Sequence, residues 1–226
     1  KCAIIGELSL NGSVRPSVGV LIRLAQAAKD GALHAIIPYE NANEALNVKE
    51  LNVFPVRSLK EAVSILNSIT VKTQGMNRGC LDKWGDMEAQ SNEDKLRNDE
   101  LLDFSDVKGQ YQAKRAMEIA ACGGHNIIMV GAAGCGKTML GKRFTGMLPP
   151  LSVGEAYEVT GVYSLAGLLP SDYGLMRTRP LRLISPGITR SALIGGGRPL
   201  IPGEISLAHK GVLFMDEMTE YDSSLI

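Results

Sequence analysis

The chain has 226 residues, 45% apolar and 21% charged, with 24 lysines and arginines balanced by 24 aspartates and glutamates. That is enough for one large or two small globular domains. Zero net charge leaves no global field to recruit nucleic acid or a membrane, so such a partner needs a local patch. Cys2, Cys80, Cys122 and Cys135 form no C-x-x-C pair, which argues against a disulfide framework or metal knuckle and for reduced thiols in a cytoplasmic protein. No apolar run approaches the ~18 residues of a membrane span. The opening KCAIIGELSL carries neither signal peptide nor initiator methionine, and the closing YDSSLI reads as the start of a helix. The sequence is therefore expected to be an internal piece of something longer.

Residues 1–70 read as a small α/β unit. IGELSLNGSVR is two short strands joined at Asn11-Gly12, a strong hairpin signal. VGVLIRLAQAAKDG has helical periodicity and stops at Gly31. LHAIIP is a buried strand, NANEALNV a short helix and LNVFPV another strand. Ser58 and Glu61 form a capping box for a helix reaching about Ser68. Residues 71–100 change character: Leu81 to Asp103 holds eight acids and three bases, the composition of a solvated, mobile linker.

Residues 101–226 form a second unit. GQYQAKRAMEIAACGG is an amphipathic helix ended by Gly123-Gly124, NIIMV a buried strand, KTMLGKRFTGML a helix and GVLFM a second buried strand. Strand, helix and strand in this order give an α/β fold with a mainly parallel sheet and helices on both faces.

Between the first strand and helix lies GAAGCGKT, residues 131–138. It fits the phosphate-binding loop G-x-x-x-x-G-K-[ST] in its proper setting. Glycines let the backbone turn its N–H groups around a phosphate where a helix begins. The cofactor-binding set is Gly131, Ala132, Ala133, Gly134, Cys135, Gly136, Lys137, Thr138 and Met139, with ATP and Mg²⁺ as cofactors. Lys137 reaches the β- and γ-phosphates, and Thr138 binds Mg²⁺. The apolar GVLFM ends in Asp216-Glu217, which places Asp216 on the metal and Glu217 on the attacking water. Cys135 reads as a small residue in a small slot, with an oxidation-sensitive thiol as the alternative.

DVKGQYQAKRAMEIAACGGHNIIMVGAAGCGKTML and PGEISLAHKGVLFMDEMTEY resemble the magnesium-chelatase-like AAA+ ATPases of the ComM/YifB type. GELSLNGSVRP and LNVFPVRSLKEAV resemble the later part of the Lon-protease-like domain that precedes the ATPase module there. The resemblance implies a partial Lon-protease-like (ribosomal S5 domain 2-type) α/β unit followed by a truncated P-loop AAA+ α/β domain. It implies Mg²⁺-dependent ATP hydrolysis in a parent protein, a self-assembled hexameric ring, and work on DNA in branch migration, transformation or recombination. A chelatase-type subunit powering metal insertion and a nucleotide-gated scaffold are the alternatives. Asp106, Val107 and Gly109 fall in the segment that passes near adenine, and His125 and His209 match family positions read as structural. The Lon-type lysine's neighbourhood offers only Leu21, Ile22 and Arg23, so peptidase activity is not expected. Strand, sensor, arginine finger and lid residues of the ATPase would lie later, so this chain alone is expected to bind nucleotide but turn it over negligibly. Arg177, Arg179, Arg182, Arg190 and Arg198 span 22 residues without an acid. They are either a DNA-backbone patch or a match for a neighbouring subunit's acidic face.

Overall fold

A computed structural model describes residues 1–71, 102–169, 174–198, 200–223 and 225. The acidic stretch expected to be a linker lies, apart from its ends, outside the described residues. Two compact units are present: Lys1–Asn92 with Tyr163–Leu175, and Glu93–Val162 with Met176–Ile226.

The first unit is built from β1 (Cys2–Ile4), β2 (Glu7–Leu8), β3 (Val14–Arg15), α1 (Val20–Lys29), β4 (His34–Pro38), α2 (Ala42–Ala45), β5 (Asn52–Val56) and α3 (Leu59–Val71). β2 and β3 form the expected antiparallel hairpin. β1, β4 and β5 form a parallel sheet with β4 in the middle, Ile4 facing Ile36 and Ile36 facing Phe54 in register. A central strand is covered on both faces, which is why AIIP, after His34, is a continuous apolar run. Ile36 and Ile37 are 1% and 0% exposed, worth about 1.5–3 kcal/mol each. β1 was not legible separately, since three half-exposed residues carry no period. The α3 cap differs slightly from the expected box. Ser58 Oγ accepts from Glu61 N–H at 3.3 Å, but the Glu61 carboxylate reaches the N–H of Arg57, at 2.8 Å, rather than that of Ser58. α3 also continues to Val71, past Ser68.

Glu44 is 6% exposed, unusual for a carboxylate that has no ion-pair partner among the described residues. Asn41 Nδ2 donates to its Oε1 at 2.8 Å and Ser164 Oγ to its Oε2 at 2.9 Å. Burial pushes the carboxyl upward, against the pull of Ser164, Asn41 and the Leu21 backbone. A raised folded-state pKa means the folded chain holds its proton longer than the unfolded one. The contribution is complete below the ordinary glutamate value and is lost as pH rises through the folded value. Chemical denaturation of wild type and Glu44→Gln from pH 4 to 8 should show the advantage of Gln growing with pH; a pH-independent difference would refute this.

The second unit contains α4 (Tyr111–Gly123), α5 (Lys137–Arg143), α6 (Val153–Leu165, its last residues counting with the first unit), β6 (Leu181–Ile184), α7 (Arg190–Ile194), β7 (Gly195–Gly196), β8 (Ile201–Pro202), α8 (Glu204–Leu207) and β9 (Val212–Met215). Both expected helices are present, α5 ending at Arg143 and passing into a 3₁₀ turn, Phe144–Met147. β6 and β9 pair in parallel, Leu181 facing Val212 and Ile184 facing Met215. The two units are thus mixed α/β with parallel pairing, as the element order implied.

Two strand expectations need correcting. β9 is half-buried along its length, not buried. Residues 126–130 are not assigned to a strand. Ile127 and Met129 pack on the cluster of Val107, Met117 and Leu140, whereas Ile128 and Val130 are 81% and 94% exposed. The alternation is that of an extended segment covered on one face. Among the described residues nothing packs on the other face, so the outward side chains stay in solvent.

Candidate functional site

Residues 131–138 leave the extended segment and enter α5. Gly134 and Gly136 have φ of +75° and +93°, and a Cβ on either would meet nothing within 4 Å. Conformation, not space, demands glycine there. Gly131 is the opposite case: a Cβ would sit 2.9 Å from Cys135 Sγ. The thiol occupies the room a side chain at 131 would need.

Lys137 Nζ donates to Gly131 O at 2.9 Å and Ala132 O at 3.0 Å, and lies 3.9 Å from Cys135 Sγ. The ammonium closes the loop on its own carbonyls. Thr138 Oγ1 donates to Asp216 Oδ2 at 2.9 Å, across 78 positions of sequence. Asp216 Oδ1 accepts the Glu217 N–H at 3.1 Å, and Asp216 N–H donates to Ile184 O at 3.2 Å. Asp216 is therefore fixed from both sides at the end of β9. Tyr221 OH also donates to Ile184 O, at 2.8 Å. Burial, and secondarily the charge of Asp216, pushes its phenol upward, keeping it a donor. Glu217 is exposed, with φ of +50°. Ala132, Ala133 and Met139 line the exposed side of the loop and first helical turn.

The oxygen donors fit Mg²⁺. A hydroxyl and a carboxylate oxygen stand 2.9 Å apart, and no cluster of three or more His, Cys, Asp or Glu occurs among the described residues. A cation held here would complete its shell from phosphate and water, the usual habit of Mg²⁺.

Several residues that organise the site carried no motif. Arg143 donates from Nε to Asp103 O at 3.0 Å and from Nη1 to Met139 O at 3.3 Å, and pairs with Asp106 Oδ2 at 3.3 Å. It ties the segment carrying Asp106, Val107 and Gly109 to α5. Asp103 accepts the Ser105 N–H, which holds its carboxyl below the usual range. Lys114 Nζ donates to Val107 O, and Gln110 Nε2 donates to Cys135 O at 3.1 Å. Nothing local marks Arg143, Lys114 and Gln110, because each donates to a backbone carbonyl, 40, 7 and 25 positions away.

The arginine run divides. Arg179 donates to Pro149 O and Lys210 O, each at 2.6 Å, and reaches Glu155 at 3.5 Å. Arg182 forks onto Glu204, Nε to Oε2 at 2.5 Å and Nη2 to Oε1 at 2.8 Å, which draws the Glu204 carboxyl downward. These two hold their own chain together. Arg177, Arg190 and Arg198 are exposed. His209 Nε2 lies 2.8 Å from Glu158 Oε2, and the His125 ring lies against Gly123. In the first unit, Leu21 is 2% exposed in the core, Ile22 is exposed and Arg23 donates to Ser17 Oγ at 3.3 Å. None of these side chains is a titratable amine.

The profile of magnesium chelatase, subunit ChlI, matches residues 103–226, more than half of the chain. The chain belongs to this family. Over 225 residues it is 36% identical to the competence protein ComM of Haemophilus influenzae, covering 98% of this chain and 41% of that protein. Over 219 residues it is 35% identical to the uncharacterized protein YifB of Escherichia coli, covering 97% and 40%. A shorter match, 38% over 69 residues, is to Lon protease 2 of Bacillus subtilis, covering 30% of this chain and 12% of that one. The chain thus spans about two fifths of the length of ComM and YifB. No helix among the described residues is long and apolar enough to cross a membrane.

Proposed function

We propose that the chain is the nucleotide-binding part of a Mg²⁺-dependent AAA+ ATPase, preceded by a Lon-like unit, in a cytoplasmic ring whose hydrolysis drives DNA remodelling. The observation that carries the ATPase reading is the Thr138–Asp216 contact. It brings the last residue of a phosphate-loop pattern and the acid closing a distant apolar strand onto one spot, next to Lys137. In this reading the loop amides and Lys137 hold the triphosphate, Thr138 and Asp216 supply the protein oxygens for the cation, and Glu217 orients the attacking water. A Mg²⁺ held by Thr138 and Asp216 would supply positive charge to offset that developing on the phosphate during transfer. The match to Lon protease 2 supports the Lon-like assignment of the first unit.

DNA work is supported by the similarity to a protein named for competence and by exposed Arg190 and Arg198, which flank β7. With Arg179 and Arg182 engaged within the chain, the DNA reading rests on Arg190 and Arg198. The family's own description favours a second reading, a chelatase-type motor for metal insertion. That reading leaves residues 1–102, outside the family match, without a role.

The test is ATP hydrolysis by the full-length protein with and without branched DNA. Arg190→Ala with Arg198→Ala should weaken DNA binding about tenfold at moderate salt and flatten its salt dependence by about one unit of slope per lost phosphate contact. Hydrolysis indifferent to DNA, or DNA binding that does not weaken as salt rises, would overturn the DNA reading and leave the ATPase reading standing.

A further inference from the structure

Gln110 sits at the entry to α4 with φ of 53° and ψ of 36°, directly after Gly109 at φ of 68°. A side chain in the left-handed region costs about 1 kcal/mol or more relative to glycine. A non-glycine residue kept there against that cost marks a position where the side chain has work to do. Its backbone carbonyl accepts the Lys114 N–H at 2.9 Å, and its side chain makes no cap to its own helix. The carboxamide reaches across 25 positions instead, donating from Nε2 to Cys135 O at 3.1 Å. The facing group is the amide nitrogen, because a backbone carbonyl only accepts.

Cys135 O belongs to the peptide linking Cys135 to Gly136, in the middle of the loop. A peptide is planar and almost always trans, so its N–H points opposite to its C=O. Drawing the Cys135 carbonyl toward Gln110 aims the Gly136 N–H away from Gln110. Gly136 itself, at φ of +93°, has the backbone freedom to let this peptide rotate when nothing holds it.

We propose that Gln110 is a positioning residue for the phosphate loop: its carboxamide holds the Cys135–Gly136 peptide in the orientation that presents the Gly136 N–H to a nucleotide phosphate. The proposal rests on the ATP reading above. It makes the segment beside the expected adenine site a clamp on the phosphate cradle as well, so one short stretch sets both ends of the nucleotide.

Gln110→Gly separates positioning from fold maintenance, because glycine relieves the left-handed strain while deleting the carboxamide. Gln110→Glu keeps the shape and sets an acceptor against the carbonyl. MgATP affinity by fluorescence titration, melting temperature, and exchange of the Gly136 amide by NMR are measured on the full chain. Gln110→Gly should melt no lower than wild type, bind MgATP about tenfold more weakly, as the loss of one oriented donor to a charged group implies, and exchange the Gly136 amide faster. Gln110→Glu should bind at least as weakly. Wild-type affinity in Gln110→Gly overturns the proposal, as does a Gly136 amide that exchanges alike in both proteins. Wild type that ignores MgATP overturns the ATP reading itself, a different outcome on a different protein.

Discussion

Lys137→Ala is expected to weaken MgATP binding about a hundredfold or more while moving the melting temperature little. In the structure the ammonium donates to Gly131 O and Ala132 O and lies near Cys135 Sγ, on a loop whose residues from 131 to 135 are exposed. Those carbonyls can turn to water when the ammonium is gone, so the fold loses little. On a triphosphate the same group would make charge-assisted bonds of about 1.5–3 kcal/mol each. Two such bonds account for a loss of about two to four decades in affinity. Fluorescence titration with a nucleotide analogue, beside a thermal melt, measures both quantities. Affinity equal to wild type would show that the loop does not hold phosphate through this lysine.

The contrast between the fold's cost and the ligand's gain explains why this part was legible in the sequence. GAAGCGKT states its chemistry within eight contiguous residues, so no knowledge of distant packing is needed. Asp216 was legible for a related reason: a four-residue apolar strand that ends in an acid has to deliver the acid to the strand's end. What stayed hidden depends on partners far along the chain. The five arginines looked like one surface because no acid lies among them, yet Glu155 and Glu204 meet Arg179 and Arg182 from 24 and 22 positions away. Arg143 and Gln110 act on backbone carbonyls, which no residue type announces. NIIMV reads as a buried strand, yet four consecutive apolar residues do not reveal whether one face or two will be covered; only the neighbours decide, and here Ile127 and Met129 are packed while Ile128 and Val130 are not.

Gly211→Ala should disrupt the site from a distance. Gly211 is the residue just before β9, and a Cβ there would lie 2.0 Å from Pro180 O, with the Pro180 ring at 2.7 Å and 2.8 Å. Pro180 O is also the acceptor for Val212 N–H at 2.8 Å, the contact that starts the β6–β9 pairing. A methyl group therefore cannot enter without parting these two strands where their ladder begins. The obstacle is backbone and a proline ring, neither of which has a rotamer to escape into. Overpacking of this kind costs about 1–3 kcal/mol, enough to lower the melting temperature of the second unit by several degrees. Asp216 follows the last residue of the same short strand, and its N–H is bonded to Ile184 O, so a shift of β9 carries the carboxylate away from Thr138. MgATP affinity should consequently fall by about tenfold, the loss of one charge-assisted contact, although residue 211 touches no nucleotide. If the variant melts lower yet binds MgATP as wild type does, the register of β9 does not place Asp216, and the carboxylate must be held by its contacts to Thr138 and Glu217 alone.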